Sequence, residues 1–199
     1  MPRSRTSLVA GSILLGTIWI SGARAAELGE TPDTARLLDR IEETRRALTP
    51  ADLQAARRLN ADGDRAYRRK DYRAAFTAYA NSYPNAPTAY AYIMAGDAHW
   101  RAVVQQARKA AAPAGQSCRL DNSHFAHDLA SDLAQQEALG LTLAARDNDR
   151  RFLASKLYHR ARESAACLHA LVQRYEAEPA ASCVDMQRLE RCLGAPLIK

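Results

Sequence analysis

The most restrictive feature of this sequence is its punctuation. Residues that start and stop helices recur along the chain, and between them apolar side chains return every three or four positions, the spacing of one helix face. Thr31-Pro32-Asp33 and Thr49-Pro50-Ala51-Asp52 each place a hydroxyl cap before a proline at the first helical position, with an acid near the positive end of the helix dipole. The second also has its acid three residues after the cap, as in a capping box. Leu37, Leu38, Ile41 and Leu48 follow the first signal, so helices are expected over 32–47 and 50–69. Asp71 caps a third, 72–83, and a fourth runs over 87–111 until Pro113-Ala114-Gly115 breaks it. A fifth is expected over 123–146 and a sixth over 149–177, stopped by Pro179. Ser182 with Asp185 starts a short last helix to Leu193, where Gly194 and Pro196 end it. No segment alternates with period two, and alanine, the best helix former, fills 41 of 199 positions. The chain reads as all-α, and its short links imply stacked antiparallel helical hairpins.

Residues 1–25 read as a secretory signal peptide. Arg3 and Arg5 precede an apolar run, Leu8 to Ile20, and Ala23-Arg24-Ala25 supplies small residues for cleavage before Ala26. The run is about 13 residues, whereas a spanning helix needs roughly 20. The rest, 26–199, is read as a single domain without stable membrane insertion, delivered to the periplasm or secreted. The full chain has 28 basic and 22 acidic residues, a formal +6. Removing the leader's three arginines, and no acid, leaves 25 against 22, a net +3. So modest a charge on an exported chain does not call for nucleic acid.

All four cysteines lie late in the chain, at 118, 167, 183 and 192. Export favours two disulfides, and the absence of C-x-x-C removes thioredoxin-like motifs and most zinc knuckles. Cys183 and Cys192, nine residues apart in the expected last helix, would stand roughly 13 Å apart at about 1.5 Å per residue. A bridge needs about 4.4–6.8 Å, so that pair is excluded, and Cys118–Cys167 with it. Folding the hairpins about the turn near 179–180 brings Cys167 level with Cys192. Folding about the turn near 147–148 brings Cys118 level with residue 177, just before Cys183. The expected pairs are Cys118–Cys183 and Cys167–Cys192.

Residues 56–89 carry a helix-turn-helix pattern with Leu59 and Gly63 in its first helix, Tyr72, Ala75 and Tyr79 three and four apart in its second, and Pro87 at the end. The run D-Y-x-x-A-x-x-x-Y at 71–79 is its most specific part. In these positions the segment resembles a tetratricopeptide repeat, whose helix-turn-helix unit puts small residues where the two helices touch. Asp62 and Ser82 depart from the usual apolar and alanine positions. A weaker second copy starts near Thr88, with Tyr92 and Gly96. The module covers 56–111, and 112–199 is then a disulfide-linked helical capping region. The resemblance implies a scaffold for a protein or peptide partner.

Two surfaces fit such a partner. Six of the eight tyrosines fall within 67–92. Tyr72 and Tyr79 stand at repeat-packing positions, whereas Tyr67, Tyr90 and Tyr92 are candidate contacts, because tyrosine combines apolar area with a polar tip. Residues 57–73 hold Arg57, Arg58, Arg65, Arg68, Arg69, Lys70 and Arg73 against Asp62, Asp64 and Asp71. Arg58, Arg65 and Arg69 are the candidate carboxylate clamp, since guanidinium forks match carboxylates. The acidic stretch 27–43 could instead dock on this run within the molecule.

Catalytic signals are sparse. Asp121 to Asp128 contains His124 and His127 three apart, and with Asp128 they could hold zinc. The segment lacks H-E-x-x-H, and the chain lacks G-x-S-x-G, a Walker A loop and G-x-G-x-x-G. The chain is read as a non-enzymatic binding scaffold of the cell envelope with no cofactor. The alternative is a small disulfide-bonded all-α hydrolase or metal-binding protein using residues 121–128.

Overall fold

The computed structural model describes residues 32–110, 118–125, 130–178 and 183–199. The expected leader, 1–25, and two of the candidate metal ligands, His127 and Asp128, lie outside the described residues. Within them the regular elements are helices: α1 (Pro32–Arg46), α2 (Pro50–Arg68), α3 (Tyr72–Ser82), α4 (Ala89–Lys109), α5 (Ala130–Asp147), α6 (Arg150–Leu153), α7 (Lys156–Ala177) and α8 (Met186–Leu193). An isolated antiparallel bridge joins Asp121 to Cys183.

The local signals act through identifiable bonds. Thr49 and Asp52 form a reciprocal capping box at the start of α2. Asp71 accepts from the Ala74 amide at α3, and Thr88 from the Ala91 amide at α4. The fourth helix therefore begins at Ala89, two residues later than expected. The expected sixth helix is broken in two. Ser155 is extended, its hydroxyl accepts from the Tyr158 amide, and α7 starts afresh behind it. The break turns α6 back, so Phe152 and Leu153 pack against the core that α1 and α5 share. The last helix also starts later: Asp185 rather than Ser182 is its cap. Cys183 thus lies outside the helix, in the bridge to Asp121, which corrects the premise used above to exclude a Cys183–Cys192 bond. The bonds are nonetheless Cys118–Cys183 and Cys167–Cys192, each with Cα atoms 5.3 Å apart.

α2 packs on α3, α3 on α4 and α4 on α5, whereas α1 packs mainly on α5, and glycines set how closely the helices approach. A Cβ on Gly63 would lie 2.6 Å from the Tyr79 ring, so α2 and α3 touch backbone to aromatic face. At the α4–α5 crossing, Gly96 faces Glu137 and Gly140 faces Ile93, each too close to admit a Cβ. Between α3 and α5, α4 is buried from Ala91 through Ala98, as expected of a helix apolar on nearly every side. It contributes to three clusters of core side chains. Ala89 and Tyr92 meet Leu38, Ile41, Leu139 and Leu143. Ile93 and Met94 meet Tyr67, Tyr79 and Leu197. Trp100 and Val104 meet Phe125, Leu168, Tyr175 and Leu189 at the disulfide end. Arg45 then locks α1 in place, bonding Asp147 at the end of α5 and the Pro87 carbonyl before α4.

Candidate functional site

Two polar residues interrupt the buried face of α4. Asp97 and Arg101 stand four apart, one turn of helix, so their side chains meet. Arg101 Nε donates to Asp97 Oδ2 at 2.7 Å and Nη2 to Oδ1 at 3.2 Å. From α2 the Tyr67 hydroxyl donates to the same carboxylate and accepts from Arg101 Nε at 2.9 Å. Burial pushes the Asp97 carboxyl above its usual range, opposed by the Arg101 charge and by hydrogen bonds from Arg101 and Tyr67. Burial and the neighbouring Asp97 charge likewise raise the Tyr67 hydroxyl. Glu137 on α5 is 3% exposed. Burial, reinforced by Asp97, holds its carboxyl well above the usual range, which favours its neutral form.

Arg101 faces outward as well. Its guanidinium donates to the carbonyls of Leu193, Gly194 and Ala195 at 2.9, 3.1 and 3.0 Å. Arg160 of α7 donates to the Ala195 and Pro196 carbonyls. Arg68 of α2 reaches the Lys199 carbonyl at 2.8 Å. The Leu197 amide donates to the Tyr67 hydroxyl at 3.0 Å, and the Leu197 side chain is buried beside it. Residues 194–199 are therefore held as an irregular strap over α2, α4 and α7. Gly194, at φ 57°, turns the chain off α8, a conformation that favours glycine.

Of the candidate contact tyrosines, the structure buries Tyr67 and Tyr92 and half-buries Tyr90. Tyr67 is 1% exposed and fully engaged with Asp97, Arg101 and Leu197. Tyr92 is buried, stacked on Tyr83 with ring centroids 4.0 Å apart. Tyr90 is half-buried and donates to Asp64, which also takes the Tyr79 hydroxyl. Tyr67 is enclosed where α2 meets α4, whereas Tyr90 and Tyr92 lie on α4 itself, Tyr90 facing Asp64 of α2 and Tyr92 packing among side chains of α1 and α5. The arginines remain outside. Arg57, Arg58, Arg65, Arg68, Arg69, Lys70 and Arg73 are all exposed. Arg65 pairs with Asp62, and a shallow open groove between α2 and α3 runs beside them, lined by Leu59, Asp62, Asp71, Arg73 and Thr77. Within the acidic stretch, α1 turns Leu38 and Ile41 into the core shared with α5, and Glu42 pairs with Arg45 of the same helix.

His124 is exposed, and its amide donates to Asp121. Among the described residues no group of three or more His, Cys, Asp or Glu is placed to hold a metal ion, and no helix is long and apolar enough to cross a membrane. The residues that sequence reasoning missed are Asp97, Arg101 and Glu137. The first two carried a usable signal: opposite charges four apart inside the apolar run 91–104 must be either exposed or paired. Comparison with known proteins gives no match: no family model fits the chain, and neither a curated protein nor a solved structure is significantly similar to it.

Proposed function

We propose that this chain is an exported helical scaffold that binds an acidic segment of a protein or peptide partner in the cell envelope through the arginine-rich face of α2 and α3. The observation that carries the reading is the uncompensated charge of that face. Arg57, Arg58, Arg69 and Arg73 have no carboxylate partner among the described residues, while Asp62 of the same run is taken by Arg65 and Asp64 by the Tyr79 and Tyr90 hydroxyls. The close contact of Gly63 with Tyr79, and the burial of Tyr72 and Ala75 in the same core, support the resemblance to a tetratricopeptide repeat. Ser82 fits its alanine position because the side chain is buried and its hydroxyl returns to the Tyr79 carbonyl at 2.7 Å. Two disulfides support export, since such bonds persist in oxidising compartments.

The test is crosslinking capture from an envelope fraction at physiological salt, with Arg65→Glu/Arg69→Glu compared against Arg150→Glu/Arg151→Glu. Both pairs are exposed and change the charge equally. Capture should fall with the first pair alone while circular dichroism stays unchanged for both. Equal capture by both variants would leave the basic run as an ordinary solvated face.

A further inference from the structure

The strap over α2, α4 and α7 is held in the manner of a bound peptide. The bonds that hold residues 194–199 run from side chains of the body to the strap's main chain: Arg101 to the Gly194 and Ala195 carbonyls, Arg160 to those of Ala195 and Pro196, Arg68 to that of Lys199, and the Leu197 amide to Tyr67. Main-chain groups are common to every peptide, so these contacts select a non-helical backbone that bends at the positions of Ala195 and Leu197, and not a sequence. Selectivity resides in one position, because Leu197 is the strap's buried side chain, set in the pocket beside Tyr67 with Ile198 packed on the same cluster. Pro196 keeps the backbone from continuing a helix.

The receiving groups are organised independently of the strap. Asp97 grips the Arg101 fork with two bonds, and the Tyr72 ring lies 5.9 Å from the guanidinium carbon. These contacts stay when the strap leaves, so the hooks remain aimed, the condition under which binding costs least ordering. The strap is also free to leave without loosening α8. Its pivot is Gly194, and Cys192, two residues earlier, is bonded to Cys167 on α7.

We propose that the trough between α2, α4 and α7 is a second binding site, specific for a non-helical peptide with a branched apolar side chain. Residues 195–199 are its resident occupant, and a partner segment of the same chemistry displaces them. The site shares Arg68 with the basic run but uses neither Arg65 nor Arg69. A resident occupant lowers the apparent affinity for an outside peptide by the fraction of time the trough is filled.

The probe is a fluorescent peptide with the sequence of residues 193–199, titrated onto the full oxidised chain and onto its Leu197→Asp variant, which expels the strap. The variant should bind at least tenfold more tightly than the unaltered chain, and the peptide carrying Leu197→Asp should bind neither. Binding to neither chain, or equally to both, overturns the proposal. So does a mixed dimer between the variant and the unaltered chain with no uptake of free peptide, which would make a second copy the occupant. Hydrogen exchange on the unaltered chain decides the matter if the variant does not fold. The Leu197 amide should exchange at least tenfold faster than that of Ile93, and exchange no faster than Ile93 would show a strap that opens only with the whole fold.

Discussion

Replacing Arg101 by methionine is the sharpest test of the buried network. The change keeps length and apolar volume but leaves the Asp97 carboxylate, 1% exposed, with only the Tyr67 hydroxyl. Breaking a buried ion pair from one side costs about 3–5 kcal/mol. Arg101 also bonds the carbonyl of buried Leu193, and stranding that acceptor adds roughly 1–3 kcal/mol. Gly194 and Ala195 are exposed residues with part-buried carbonyls, which can turn to water at little cost. The total is on the order of 4–8 kcal/mol, a large part of the ~5–15 kcal/mol that holds a typical domain folded. The assay is urea unfolding of the disulfide-intact chain, followed by circular dichroism. A double-mutant cycle supplies the control. In an Asp97→Asn background there is no carboxylate to strand, and Arg101 has already lost its counter-charge, so the same Arg101→Met change should cost at least about 2–3 kcal/mol less. An identical cost in both backgrounds would refute the claim that the stranded carboxylate dominates.

Glu137→Gln should raise the melting temperature at pH 7 and above, with the gain vanishing near pH 4. The folded carboxyl is held above its usual range by burial and by Asp97, so the wild-type chain loses stability as pH rises from the unfolded value through the folded one, and glutamine has no such loss. A pH-independent effect in calorimetry would contradict this. Gly63→Ala should destabilise by about 1–2 kcal/mol despite the ~1 kcal/mol that alanine gains in helix propensity. The added Cβ meets three Tyr79 ring carbons at 2.6–2.9 Å, and in a Tyr79→Leu background the same change should turn stabilising. Removing the Cys118–Cys183 bond, which closes 65 residues, should cost about 4 kcal/mol in the chain-entropy model. Removing Cys167–Cys192, which closes 25, should cost about 3.5. Chemical denaturation of the two serine double mutants measures both.

Much of the fold was legible because its signals are local. Thr49, Asp71 and Thr88 cap the helices that follow them through bonds spanning three residues, and such bonds can be read from sequence spacing alone. The break at Ser155 was not legible. Serine is tolerated inside helices, and the apolar period of Phe152, Leu153, Leu157 and Ala161 runs through it unbroken. What decides the break is the core that takes Phe152 and Leu153, which lies on helices far away in sequence. The basic face was legible as a charge run. The burial of Tyr67 and Tyr92 was not, because the same tyrosines suit an interface or a core, and only the packing of α2, α1 and α5 around α4 distinguishes them.

By itself, then, the sequence determined the all-α class and the helix caps, since propensity and capping act within a few residues. Its cysteine positions within antiparallel hairpins also agree with the bonds that form. Tertiary structure alone decided which charges are buried, that α1 spends its apolar face on α5, and that residues 194–199 lie against Arg101, Arg160 and Arg68. Those outcomes depend on residues up to 131 positions apart meeting in space, and no local period or cap encodes such a meeting.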